Sequence, residues 1–213
     1  YDSLGHFVGG EPPTGPRKVG TIYSDGAPDI IHAVKRKGWV NDTSTPGMPQ
    51  TNGVAERAVR KVVEGTRTIL AHAGFHHQWW TYAITHFCFM SNIEIKEMVD
   101  PATKLPVKSS AWELFHGAPF KGEVIPFGAE VLFMPTPAKI ADEPKMGPRG
   151  KTGLFLGYHI LSGYRYRRDY YVIDLDDVRG RPWHQVLNGN RTDRIQRVKE
   201  VWFDRSKEPS FPM

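Results

Sequence analysis

A short β-branched segment, Lys18-Val19-Gly20-Thr21-Ile22-Tyr23-Ser24, runs into an acid, Asp25, and is followed by a Pro/Gly-rich loop and then by a helix that opens with a second acid, Glu56. Strand, loop and helix in that order can bring two carboxylates distant in sequence onto one divalent ion. Ligands gather outside the carboxyl ends of strands in open α/β sheets, and Asp25 stands at such an end. Between the two acids, residues 29–38 have the composition of a short helix stopped by Gly38, and residues 39–43 that of a brief strand.

The helix carrying Glu56 is the clearest element. Ala55, Val59, Val62, Val63, Thr66, Ile69 and Leu70 recur at i, i+4, i+7 and i+8 spacing, which predicts an amphipathic helix starting at Asn52 or Gly53. Asn52 is its expected N-cap and Gly74 its stop. At about 100° per residue, Glu56 falls on one border of the apolar stripe, with Arg60 and Arg67 just beyond it. A second helix over 78–93 is apolar nearly all round, with Trp79, Trp80, Tyr82, Phe87 and Phe89, which predicts that it is largely buried.

From residue 97 the composition turns to Pro, Lys and Ser, read as a linker to about 122. Past it the period becomes two. Residues 124–134, 153–160, 166–174 and 197–203 predict short strands between Gly/Pro turns, hence a small β-barrel over 123–206. Tyr170, Tyr171, Trp183 and Trp202 are its expected core. Tyr164-Arg165-Tyr166-Arg167-Arg168 alternates rings and cations, with two readings. The rings could stack on bases while arginines meet phosphates, or the rings could simply pack inward.

Charge and cysteine usage bound the function. A net charge of +5 and a pI near 9.3 fit a polyanionic partner. Arg57, Arg60, Lys61 and Arg67 on the helix, and Arg165, Arg167 and Arg168 on the strand, are the candidate phosphate contacts, though a solvated charged face is the competing account. The single Cys88 excludes an intramolecular disulfide and fits a reducing nuclear or cytoplasmic setting. The apolar run 79–90 is shorter than the roughly 20 residues a bilayer requires, so no membrane span is expected. His72, His76, His77 and His86 lack paired cysteines, so they are expected at helix ends or in the core rather than on zinc. The chain opens in mid-pattern at Tyr1 and has no basic-then-apolar leader, which reads as a piece of a longer polyprotein.

Pro49-Gln50 followed by Asn52-Gly53-Val54-Ala55-Glu56-Arg57, with Ser24-Asp25-Gly26 upstream, resembles the integrase core of copia-type retrotransposons. Phe127-Gly128-Ala129-Glu130-Val131 and Phe155-Leu156-Gly157-Tyr158 are similar to blocks that follow that core. The resemblance implies α/β plus all-β architecture: a partial RNase H-like integrase core over 1–96, then a Src-homology-3-like (SH3-like) barrel. It implies Asp25 and Glu56 as the second and third of three acids that hold two Mg²⁺ or Mn²⁺ ions, with DNA as partner and a homo-oligomeric parent. The first acid has no match here. Thirty residues separate Asp25 from Glu56, fewer than the family carries, and Asp25-Gly26-Ala27 stands where the family has Asp-Asn-Gly, so Gly26 replaces its asparagine. The implied activity is 3′-processing and strand transfer of element cDNA, with this chain alone at most binding DNA. A non-catalytic nucleic-acid-binding or assembly module and an RNase H-type nuclease are the alternatives.

Overall fold

The computed structural model describes residues 21–24, 26–43, 53–100, 104–140, 146–181, 186, 195–206 and 209–211. The chain forms two compact units, 1–62 with 160–165, and 63–159 with 166–213. No helix among the described residues is long and apolar enough to cross a membrane.

In the first unit, β1 (Thr21–Ser24) and β2 (Val40–Thr43) pair in parallel, from Thr21 against Val40 to Ser24 against Thr43. The crossover is α1 (Pro28–Arg36). Pro28 opens it, Asp29 lies in its first turn and Lys35 and Arg36 in its last, each placed to suit the helix dipole. Val34 is its buried residue. Parallel strands are ordinarily covered on both faces. Here Tyr23 is 47% and Val40 62% exposed.

The helix α2 (Gly53–His72) runs as its periodicity predicts. It ends as Gly74 requires. Gly74 takes a φ of 70°, its N–H reaches the Ala71 carbonyl, and the Phe75 N–H reaches the Leu70 carbonyl at 2.9 Å. That pair of bonds is a Schellman closure, which favours glycine at the left-handed residue. The expected cap Asn52 lies outside the described residues. The apolar stripe is covered only toward its C-terminal end. Thr66 and Leu70 are buried, whereas Val59 is 64% exposed and Ala55 is also open to solvent. Periodicity names a face; it does not supply the surface that packs on it.

In the second unit a 3₁₀ turn (His77–Trp79) leads into α3 (Trp80–Ile93). The helix is largely covered, as its composition predicts: Ala83, His86 and Phe89 are buried, and only Trp80, Thr81 and Thr85 are exposed. The segment read as a linker carries regular structure. β3 (Lys96–Val99) and β4 (Pro106–Ser109) form an antiparallel ribbon, followed by α4 (Ala111–His116). The Ser110 hydroxyl accepts the Glu113 N–H at 3.1 Å, and the Ser109 hydroxyl donates to the Glu113 carboxylate at 2.7 Å. These caps form α4 although the local composition resembles a connector.

Five strands then form one sheet: β5 (Glu130–Phe133), β6 (Lys151–Leu161), β7 (Arg165–Asp174), β8 (Ile195–Val198) and β9 (Val201–Trp202). Their order is β8-β7-β6-β5-β9. The edge strands β8 and β9 are joined only by Lys199 and Glu200, so the sheet must curl until its edges lie within roughly 10 Å of each other at that end. Ala83, Trp79, Leu154, Leu156 and Ile173 belong to one buried cluster beside it.

Two of the family-like blocks have structural work in this unit. Tyr158, closing Phe155-Leu156-Gly157-Tyr158, is buried; its hydroxyl accepts the Ile125 N–H at 3.0 Å and donates to the Glu123 carbonyl at 2.7 Å. Gly128 has a φ of 78°, and a Cβ there would meet the Ala73 methyl at 2.6 Å. Of the expected barrel core, Tyr170 is buried and Tyr171 half-buried, while Trp183 lies outside the described residues. Trp202 corrects the expectation. It pairs with Leu132, and the two face solvent together, at 48% and 47% exposure, because cross-strand partners share a face.

Candidate metal centre and nucleic-acid interface

β1 ends at Ser24, the residue immediately before Asp25. Asp25 itself, and the loop 44–52 with Pro46, Gly47, Pro49 and Gln50, lie outside the described residues. Glu56 sits in the first turn of α2 and is exposed. A carboxylate there is favoured by the unpaired N–H groups of the helix start and is open to a cation from solvent. Among the described residues no three acids, histidines or cysteines cluster closely enough to hold a metal ion. Oxygen-only ligands of the carboxylate type suit Mg²⁺ or Mn²⁺. Asp25 and Glu56 are the right chemistry for such an ion, and two carboxylates alone are an incomplete ligand set.

The cations predicted to meet phosphate are all on the surface. Arg57, Arg60, Lys61 and Arg67 are exposed along α2, and Arg60 lies about 40° around the helix from Glu56. On β7, Arg165, Arg167 and Arg168 are exposed, and the Arg165 Nε donates to the Ser162 carbonyl at 3.0 Å. Tyr166 turns inward. Its ring packs against Phe120 at 5.2 Å and Phe89 at 6.3 Å, so the rings-inward reading of this strand holds for it. Burial pushes its phenol well above the usual tyrosine range. Tyr164 and Arg168 both carry a φ of 58°, a left-handed backbone that interrupts the strand's alternation and leaves Arg167 and Arg168 both outward.

The histidines divide as expected between core and helix ends. His86 is buried among Phe127, Phe155 and Tyr158, stacked on the last with an interplanar angle of 14°. Burial without a partner for Nδ1 lowers its pKa to about 4. His76 accepts the Gln78 N–H at the start of the 3₁₀ turn. His159 and Arg197, which no sequence pattern singles out, meet Tyr171, expected only as a core aromatic, across β6, β7 and β8. They are far apart in sequence and only strand register unites them.

No family model matches the chain. Over 211 residues it is 27% identical to "Retrovirus-related Pol polyprotein from transposon RE2" of Arabidopsis thaliana, covering 92% of the chain and 14% of that relative. Over 148 residues it is 27% identical to the corresponding RE1 polyprotein of the same plant, covering 68% of the chain and 10% of the relative. Over 52 residues it is 38% identical to "Retrovirus-related Pol polyprotein from transposon TNT 1-94" of Nicotiana tabacum, covering 24% of the chain and 4% of the relative. The chain resembles a stretch of retrotransposon Pol polyprotein. The match to RE2 runs through both compact units, so the resemblance is not confined to the segment around Glu56.

Proposed function

We propose that the chain is part of a copia-type integrase and acts in insertion of element cDNA into host DNA. In this reading residues 1–96 are part of an RNase H-like core, and 123–206 a small SH3-like barrel that binds DNA. The observation that carries it is the placement of β1 and α2: the strand stops directly before Asp25, and Glu56 occupies an exposed first helical turn. The crossover between β1 and β2 keeps the strands parallel, so their carboxyl ends lie together, where a metal-dependent site is useful. Similarity to Pol polyproteins over most of the chain supports the same reading.

Asp25 and Glu56 would each offer carboxylate oxygens, and a third acid would come from elsewhere in the parent. A pair of divalent ions at such a site stabilises the attacking and leaving oxygens of an in-line phosphoryl displacement. Arg57, Arg60, Lys61 and Arg67 hold the nucleic-acid backbone through phosphate contacts, and Arg165, Arg167 and Arg168 do so on the barrel. The parent works as a homo-oligomer inside the cell.

The test uses the mature parent protein containing this segment, assayed for Mg²⁺- or Mn²⁺-dependent joining of DNA ends. Glu56→Gln and Asp25→Asn should each lower joining by more than about a hundredfold, as expected for loss of a metal-borne electrostatic contribution of several kcal/mol. The 213-residue chain alone should join nothing while still binding DNA. Full activity in both variants would leave the second reading, a non-catalytic nucleic-acid-binding module, which the exposed arginines of β7 favour independently.

A further inference from the structure

His159, Tyr171 and Arg197 form a row across three adjacent strands, one residue from each of β6, β7 and β8. Tyr171 and Arg197 are registered partners. Arg197 Nη1 lies 3.3 Å from His159 Nε2, and His159 Nδ1 lies 2.6 Å from the Tyr171 hydroxyl oxygen. The direction of these bonds follows from chemistry. Guanidinium carries donors only, so Nε2 accepts; the neutral imidazole then bears its proton on Nδ1 and donates it to the Tyr171 oxygen. With that oxygen accepting from His159, the hydroxyl hydrogen of Tyr171 is directed elsewhere. Neither it nor the remaining guanidinium N–H groups has an acceptor among the described residues. Both acceptors are thus used within the row, and the groups it has left to offer are the Tyr171 hydroxyl and guanidinium donors.

We propose that this row is a binding site for one phosphodiester group of a nucleic-acid strand. The proposal rests on the nucleic-acid reading above and gives it a specific contact. Arg197 supplies charge and a fork that matches two phosphate oxygens, Tyr171 supplies a neutral donor, and His159 locks both in place without touching the ligand. Burial, followed by Tyr82, pushes the Tyr171 phenol above its ordinary value; Arg197 pulls it down and Asp169 pushes it up by less. It thus stays a protonated donor at neutral pH. Tyr82 also packs edge-on to Tyr171 at 5.8 Å and fixes the ring. A polymer fits better than an isolated phosphate because exposed cations continue outward along the same strands, Arg167 and Arg168 on β7 and Lys199 after β8. Asp169, two residues before Tyr171, opposes an anion and sets a ceiling on affinity.

Two titrations of the 213-residue chain test this. In the first, inorganic phosphate is added while the His159 ring nitrogens are followed by NMR. In the second, binding of a fluorescent DNA duplex is followed across a salt series. Phosphate should move the His159 resonances in the wild type and not in Arg197→Gln. Arg197→Gln should also lower the log–log salt slope by about 0.9, one phosphate's worth of counterion release. Tyr171→Phe should weaken duplex binding roughly tenfold with the slope unchanged, since it removes a hydrogen bond but no charge. Asp169→Asn should tighten it. Thermal melting checks that the near-isosteric variants stay folded. If the duplex binds and both row variants match the wild type, the site is wrong while the nucleic-acid reading stands. If phosphate moves His159 but no duplex binds, the phosphodiester occupant is wrong and a phosphorylated peptide takes its place. If neither titration responds, both readings fall.

Discussion

The two compact units divide motif from mass. The first carries the Asp25 and Glu56 motifs on a two-stranded parallel sheet whose Tyr23 and Val40 are open to solvent, and on a helix start whose Val59 is exposed. In the second, the family-like blocks do structural work: Tyr158 ties two backbone groups and Gly128 admits a close contact. A two-stranded sheet has little independent stability, whereas five strands with a buried face do. A sequence can therefore state its chemistry most loudly where the described fold is thinnest, and the stability of the chain should reside almost wholly in the second unit.

The sharpest way to break that comparison is Gly128→Ala. The left-handed φ costs a side-chain-bearing residue about 1–2 kcal/mol, and the approach of Ala73 adds overpacking of about 1–3 kcal/mol. A loss of roughly 3–4 kcal/mol by urea denaturation is expected, and a near-neutral result would mean this contact does not hold the unit together.

Next in size is acid sensitivity through His86. Its folded pKa, about 4, lies below the ordinary 6.5, so the unfolded chain binds more protons between those values and stability rises with pH across that window. From pH 6.5 down to 4 the fold should lose about 3 kcal/mol from this residue, at about 1.4 kcal/mol per unit. Denaturation midpoints collected at intervals across that range check it, and His86→Leu should flatten the dependence there. An unchanged slope in the variant would assign the acid sensitivity elsewhere.

The smallest effect sharpens the comparison from the other side. Val59→Lys should change stability by less than about 0.5 kcal/mol, because the side chain is mostly in water already. A cost above roughly 1 kcal/mol would show that the helix face is covered in solution, and the contrast between the units would narrow.

Local chemistry was legible and long-range pairing was not. The extent of α2, its stop at Gly74 and the strands β6 and β7 follow from periodicity and turn residues that act within a few positions. The ribbon β3–β4 escaped because neither Lys96-Glu97-Met98-Val99 nor Pro106-Val107-Lys108-Ser109 alternates apolar with polar residues, although the burial of β3 does alternate. Trp202 was misplaced because an aromatic on a strand can face either way until its partner, Leu132, is known. Of the candidate site, residue types and strand or helix position were readable for Glu56, while its burial was not. The row of His159, Tyr171 and Arg197 had no local signal, since register alone brings the three together.

The sheet order also sets a sequence of events in time. The outer edge of β5 is closed by β9, with Leu132 facing Trp202. During synthesis at about 5–20 residues per second, some seventy residues must follow Leu132 before that partner exists, so this edge stays open for several seconds. Pairings so distant in sequence close late because loop-closure entropy opposes them until neighbouring contacts have formed. A nascent chain thus passes through a state with an adhesive, unpaired border. In crowded translation, it is the arrival of Val201 and Trp202 that ends its exposure to neighbouring chains.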